Sequence, residues 1–100
     1  MKVATSNEVK ARILAICKLC LDLNDCTEHT VFYDLQAHCS LVSVRIHIDG
    51  WISGESANHS FNAWYDLSAS RTEKSVIEEL EKIKRNLVNI CLFNGQELSK

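Results

Sequence analysis

The apolar residues of this chain change period twice, from the spacing of a helix to that of a strand and back, in a sequence without proline. Each period decides which side chains share a face, and so which surface must be buried. Val9, Ile13, Ile16, Cys17, Cys20 and Leu23 lie on one side of a helix, with Glu8, Lys18 and Asp22 opposite. Thr5 and Glu8 stand at capping-box spacing, which predicts a helix from just after Thr5 to about Leu23. From Thr30 the pattern alternates: Val31, Tyr33 and Leu35 against Phe32, Asp34 and Gln36. A second strand, Leu41 to Ile48, sets Val42, Val44, Ile46 and Ile48 against Ser43, Arg45 and His47. After a loop marked by Gly50 and Gly54, a third sets His59, Phe61, Ala63, Tyr65 and Leu67 against Ser60, Asn62, Trp64 and Asp66. A closing helix is bounded by Ser70 with Glu73 at its start and Asn94-Gly95 at its stop. Its core stripe is Val76, Leu80, Ile83, Leu87, Ile90 and Cys91.

These elements predict an α+β fold of order α-β-β-β-α, a three-stranded antiparallel sheet with two helices on one face. One hundred residues, 46% of them hydrophobic, suffice for one core and not two, so residues 1–100 read as a single domain with a short flexible tail after Gly95. A hairpin turning around His38 and Cys39 opposes Leu35 to Val42, Tyr33 to Val44 and Phe32 to Arg45. If Ile48 then meets Phe61, Arg45 also faces Trp64. The sheet surface away from the helices would carry the row Phe32, Arg45, Trp64, flanked by His47, Asn62, Ser43 and Asp66. On the first helix, Leu14, Leu19 and Leu21 widen the apolar stripe beyond the roughly 100° that one sheet covers. That excess predicts a homodimer through Leu14 and Leu21.

The chemistry of the chain excludes more than it offers. A formal charge of −2 and the lack of a basic run argue against bulk electrostatic attachment to nucleic acid or membrane. No apolar stretch approaches the ~20 residues of a membrane span, and Met1 to Asn7 lacks the regions of a signal peptide. Five cysteines, an odd number, fit reduced thiols and a cytoplasmic protein. Cys17, Cys20, Cys26 and His29 are ligand types that zinc accepts. The first two lie inside the helical run Ala15 to Leu21, with no glycine or proline to form a knuckle, and read as small hydrophobes of the core stripe. No metal and no cofactor are expected. The same pair is mid-helix, away from the helix start that would activate a redox thiol. His38 and Cys39 are neighbours that a strand would point to opposite faces, and Asp34 and Asp66 read as solvated acids. An enzyme is not expected.

The succession of helix, three strands and helix is similar to that of double-stranded RNA-binding domains. That family opens its second helix on a lysine-rich cluster and turns its hairpin with glycine-proline-histidine. This chain has Arg71-Thr72-Glu73-Lys74-Ser75 followed by Glu78-Glu79, and Ala37-His38-Cys39, so the likeness stops at topology. In size and in lacking catalytic signatures the chain also resembles the small accessory proteins of bacteriophages and mobile elements, many of which inhibit or redirect a host protein. The expectation is a non-catalytic, inhibitor-type accessory protein that binds a host or regulatory protein. Its contact residues are Phe32, Arg45, His47, Trp51, Asn62 and Trp64, since arginine and aromatic side chains anchor interface centres. The alternative is a single-strand or structured nucleic-acid-binding module, stacking bases on the same face with help from Lys82, Lys84 and Arg85.

Overall fold

Helix α1 starts where a side chain first takes up an orphan amide. In the computed structural model, which describes residues 4–67 and 71–93, α1 spans Asn7–Cys26. Its cap is Ser6, one residue beyond Thr5, and the Ser6 hydroxyl accepts from the Val9 amide at 3.2 Å. The helix continues past Leu23 because Thr27 closes it, its amide and its hydroxyl both donating to the Leu23 carbonyl, at 3.0 and 2.6 Å. Val9, Ile13, Ile16, Cys20 and Leu23 are buried, while Cys17 is only half-buried at the edge of the stripe.

Helix α2 covers Glu73–Val88 and passes into a π-helical turn at Asn89–Phe93. Thr72 caps it rather than Ser70, through reciprocal bonds with Ser75: the Ser75 amide donates to the Thr72 hydroxyl at 3.1 Å and the Thr72 amide to the Ser75 hydroxyl at 3.0 Å. Ser75 rather than Glu73 supplies the return bond, so a reciprocal capping box forms two residues later than expected, with a hydroxyl in place of the carboxylate. Ser70, the Asn94-Gly95 stop and the tail lie outside the described residues. Val76, Leu80, Ile83, Leu87 and Cys91 are buried and Ile90 packs against them.

Strands β1 (Thr30–Gln36), β2 (Leu41–His47) and β3 (His59–Trp64) form an antiparallel sheet in the order β1-β2-β3. The fold is α+β of order α-β-β-β-α. Helix α1 lies over β1 and α2 over β3, and the helices touch each other. Val31, Val42, Val44, Ile46 and Ala63 are buried between the layers. Leu35, assigned by alternation to the same side, is largely exposed because it stands on the edge strand near the end of the sheet.

A 3-10 turn, Ala37–Cys39, joins β1 to β2. Ser40 leaves it in the left-handed region at φ 55°, a conformation that costs an L-residue roughly 1 to 2 kcal/mol. Its carbonyl accepts from the Tyr65 amide at 2.8 Å, tying the hairpin end to the chain after β3. The first register is the expected one: Leu35 opposite Val42, Tyr33 opposite Val44, Phe32 opposite Arg45.

The second register differs. Phe61 meets Val44 rather than Ile48, so Arg45 faces Ser60 and Trp64 faces Leu41. The cause is the turn after β2, closed by the Gly50 amide on the His47 carbonyl at 3.3 Å, with Asp49 at φ 64° and Gly50 at φ 111°. Asn58 then receives the returning chain, its amide donating to the Ile46 carbonyl at 2.8 Å and its side-chain oxygen accepting from Ile48 at 2.7 Å. A slide by an even number of residues keeps every side chain on its own face, so the layers survive the error while the rows do not.

One contact holds the sheet edge to α1. The Asn24 side chain accepts from the Val31 amide and donates to the Val31 carbonyl, both at 2.8 Å. Among the described residues no helix is long and apolar enough to cross a membrane.

Candidate functional site: the outer sheet face

Alternation places Thr30, Phe32, Asp34 and Gln36 of β1 on the surface away from the helices, beside Leu41, Ser43, Arg45 and His47 of β2 and Ser60, Asn62 and Trp64 of β3. The rows across it are Phe32-Arg45-Ser60, then Asp34-Ser43-Asn62, then Gln36-Leu41-Trp64. Arg45 is its one lysine or arginine and Asp34 its one carboxylate.

At one end Arg45 lies over the Phe32 ring, 5.1 Å from the centroid, and Phe32 meets His47 edge-on at 5.4 Å. The guanidinium on an aromatic face is held by the ring quadrupole while its outer side remains open. His47 is only 5% exposed, so the expectation that it stands on the contact surface is corrected: it lies beneath the surface and supports Phe32. Trp51 and Ile52, both exposed, rise from the loop at this end, where the Trp51 amide donates to the Thr30 hydroxyl at 3.1 Å. The loop is also held by the Asp49 amide on His29 Nδ1 at 3.0 Å.

Trp64, 47% exposed, occupies the opposite end beside Leu41. Four residues of strand separate its row from that of Arg45, about 13 Å, so the two anchors are not side by side. Asn62 stands between the ends and is exposed. Next to Trp64 an open cavity of about 240 Å³ is lined by Asn62, Ala63, Arg71, Ser75, Val76 and Glu79. Arg71 donates to Asp66 at its rim, so Asp66 is engaged by an arginine and stands apart from Asp34, which accepts from Gln36 at 2.9 Å.

Alternation alone would have added Leu41 to the surface residues, since it shares parity with Ser43 and Arg45. Ile52 has no such signal, because a loop has no period.

The remaining candidates are dispersed. Leu14 and Leu21 project from α1, 68% and 61% exposed. Cys20 is buried and Cys26 exposed, and among the described residues no three histidine, cysteine or acidic side chains converge as a metal-ligand set. Burial pushes the Cys20 thiol up to about 12, with Cys17 and Cys91 nearby adding to the shift, and raises the Cys91 thiol as well. Such thiols stay protonated and unreactive. Cys39 is exposed on the 3-10 turn, its Sγ directed at Gln36 rather than at a histidine. Lys82, Lys84 and Arg85 are exposed on α2, and α2 packs on the other side of the sheet from Arg45 and Trp64.

Comparison with protein-family models, with curated proteins and with solved structures finds no match for this chain.

Proposed function

We infer that the chain is a small non-catalytic accessory protein of the inhibitor type, of the kind bacteriophages and mobile elements carry. It acts in the cytoplasm by occluding or recruiting a host or regulatory protein through its outer sheet face. The observation that carries this reading is the composition of the face: exposed Trp64 and Trp51, with Leu41 and Ile52, around a single arginine and a single carboxylate. Aromatic anchors with one oriented guanidinium suit a protein partner. Binding to nucleic acid draws on several phosphate contacts, and the cations that would supply them sit behind the sheet on α2. The two anchors Arg45 and Trp64, in rows about 13 Å apart, act as separate points with Asn62 and Ser43 between them.

A pull-down from the source cell, wild type beside Trp64→Ala and Arg45→Ala, tests the reading. Each variant is expected to lose its captured protein while its circular dichroism stays native, because an anchor removed from an interface costs about 2 kcal/mol or more, over tenfold in affinity. Undiminished capture by both variants, or retention on a nucleic-acid column that collapses with added salt, would overturn it.

A further inference from the structure

We propose that the open end of the β1 edge is a self-association edge, where a second copy of this chain sets the end of its own β1, Asp34 to Gln36, alongside in antiparallel fashion. The proposal concerns a surface distinct from the outer sheet face and does not depend on the function argued for that face.

The bonds between Asn24 and Val31 show which way the backbone of β1 points. Val31 turns its amide and carbonyl away from β2, and antiparallel pairing alternates, so Tyr33 and Leu35 do the same. Among the described residues nothing else hydrogen-bonds to those groups. Asn24 thus blunts the edge at its start and leaves it open toward Leu35. Natural sheets guard such edges with lysine or proline, and β1 contains neither.

The exposed leucines lie on the same flank. Around α1, Leu21 and Leu14 fall about 60° and 80° beyond Asn24, while Arg12 falls about 120° the other way. Arg12 bonds to Glu81 of α2 at 3.4 Å, so α2 occupies that other side. Leu14 and Leu35 also line one open depression, of about 290 Å³, together with Thr5, Lys10, Ile13 and Tyr65. A strand edge and two leucines therefore face one direction.

A second copy fits this surface better than an arbitrary strand because the surface is complementary to itself. A two-fold axis at Leu35 pairs the outward groups of Leu35 with those of its copy, the one hydrogen-bonded pair of this register because Tyr33 then faces the 3-10 turn at Ala37, and it brings both Leu14 and both Leu35 side chains near the axis. It also sets Asp34 opposite Gln36 of the other copy, the two side chains that already meet within one chain at 2.9 Å. An axis at Asp34 would instead oppose two carboxylates. The strip formed by α1, about 30 Å long, and the strand edge beneath it covers on the order of 600 Å² per copy, near the lower bound for a specific interface.

Sedimentation velocity on the full chain from about 1 to about 100 µM, the weak end of the range for interfaces of this class, tests the proposal. The wild type is expected to shift from monomer to dimer. Leu14→Glu, which would put a carboxylate in place of an apolar contact at the axis, is expected to weaken the dimer at least about tenfold. Leu35→Pro removes one outward amide without touching the ladder to β2 and is expected to do the same. Trp64→Ala, on the opposite edge of the sheet, is expected to leave the dimer intact. If Leu35→Pro loses its native circular dichroism, Leu14→Glu decides, since its site is open to solvent. A wild type that stays monomeric throughout overturns the proposal and leaves the edge to a strand of another protein. A dimer that Leu14→Glu does not weaken overturns it too.

Discussion

Replacing Asn24 by alanine removes three hydrogen bonds at once, and the cost follows from where each one goes. The bond from Nδ2 to the Cys20 carbonyl, 2.9 Å, duplicates an acceptor that the helix already uses, so its loss costs little. The other two fasten the start of β1 to the last turn of α1. At about 0.5 to 1.5 kcal/mol each, they contribute about 1 to 3 kcal/mol. Alanine offsets part of this through its higher helix propensity, by up to about 0.7 kcal/mol. The expected net loss with the full offset is about 0.3 to 2.3 kcal/mol, centred near about 1.3, and at about 4 to 8 °C per kcal/mol for a domain of this size that centre lowers the melting temperature by roughly 5 to 10 °C. Urea denaturation followed by circular dichroism measures it. Asn24→Asp sharpens the comparison. The carboxylate can still accept from the Val31 amide, but it loses both donors, faces the Val31 carbonyl and sits in the final turn of a helix where negative charge is unfavourable. It should lose at least as much stability as alanine. Amide exchange gives an independent readout, with Val31 accelerated well beyond Val44. Stabilities of both variants within about 0.5 kcal/mol of wild type, the scatter of ordinary surface changes, would refute the view that this side chain holds the sheet edge.

Three further outcomes are expected. Leu80→Ala or Leu87→Ala should destabilise by roughly 2 to 5 kcal/mol, whereas Glu81→Ala, whose pair with Arg12 is partly exposed, should cost under about 1 kcal/mol; equal midpoints in denaturant would mean that the buried face of α2 is misassigned. With a chromogenic thiol reagent Cys26 and Cys39 should react first, and Cys20 and Cys91 only on unfolding. Both thiols ionise more readily in the unfolded chain than in the folded one, so their contribution is intact below pH 9; that of Cys91 falls as the pH rises above 9, and that of Cys20 is lost as the pH climbs from 9 toward 12. For Cys20 the slope approaches about 1.4 kcal/mol per pH unit, and stability in reductant that stays flat to pH 11 would contradict its burial.

The candidate site was legible in part. Which residues share the outer face could be read from alternation, because a strand has a period of two whatever its partner. Their neighbours across the sheet could be read only where the connection is short. A 3-10 turn leaves β1 and β2 almost no freedom, and Phe32 sits against Arg45 as expected. Between His47 and His59 the loop is long enough to permit several registers at nearly equal closure entropy, so the position of Trp64 depends on how the loop packs. The burial of His47 carries no sequence signal, since alternation places it on the outer face with Arg45.

The sequence by itself determined the order of elements, their buried and solvent faces and the first hairpin, all consequences of side-chain period and short-range turn chemistry. Cap positions were legible only to within one or two residues, because neighbouring hydroxyls such as Thr5 and Ser6 compete for the same orphan amides. Tertiary structure alone decided that Arg45 and Trp64 stand at opposite ends of the sheet, and that Asn24 closes one end of the β1 edge while leaving the rest open. Each of these joins residues brought together by packing and by the path of a long loop, and a linear pattern has no means of encoding that distance.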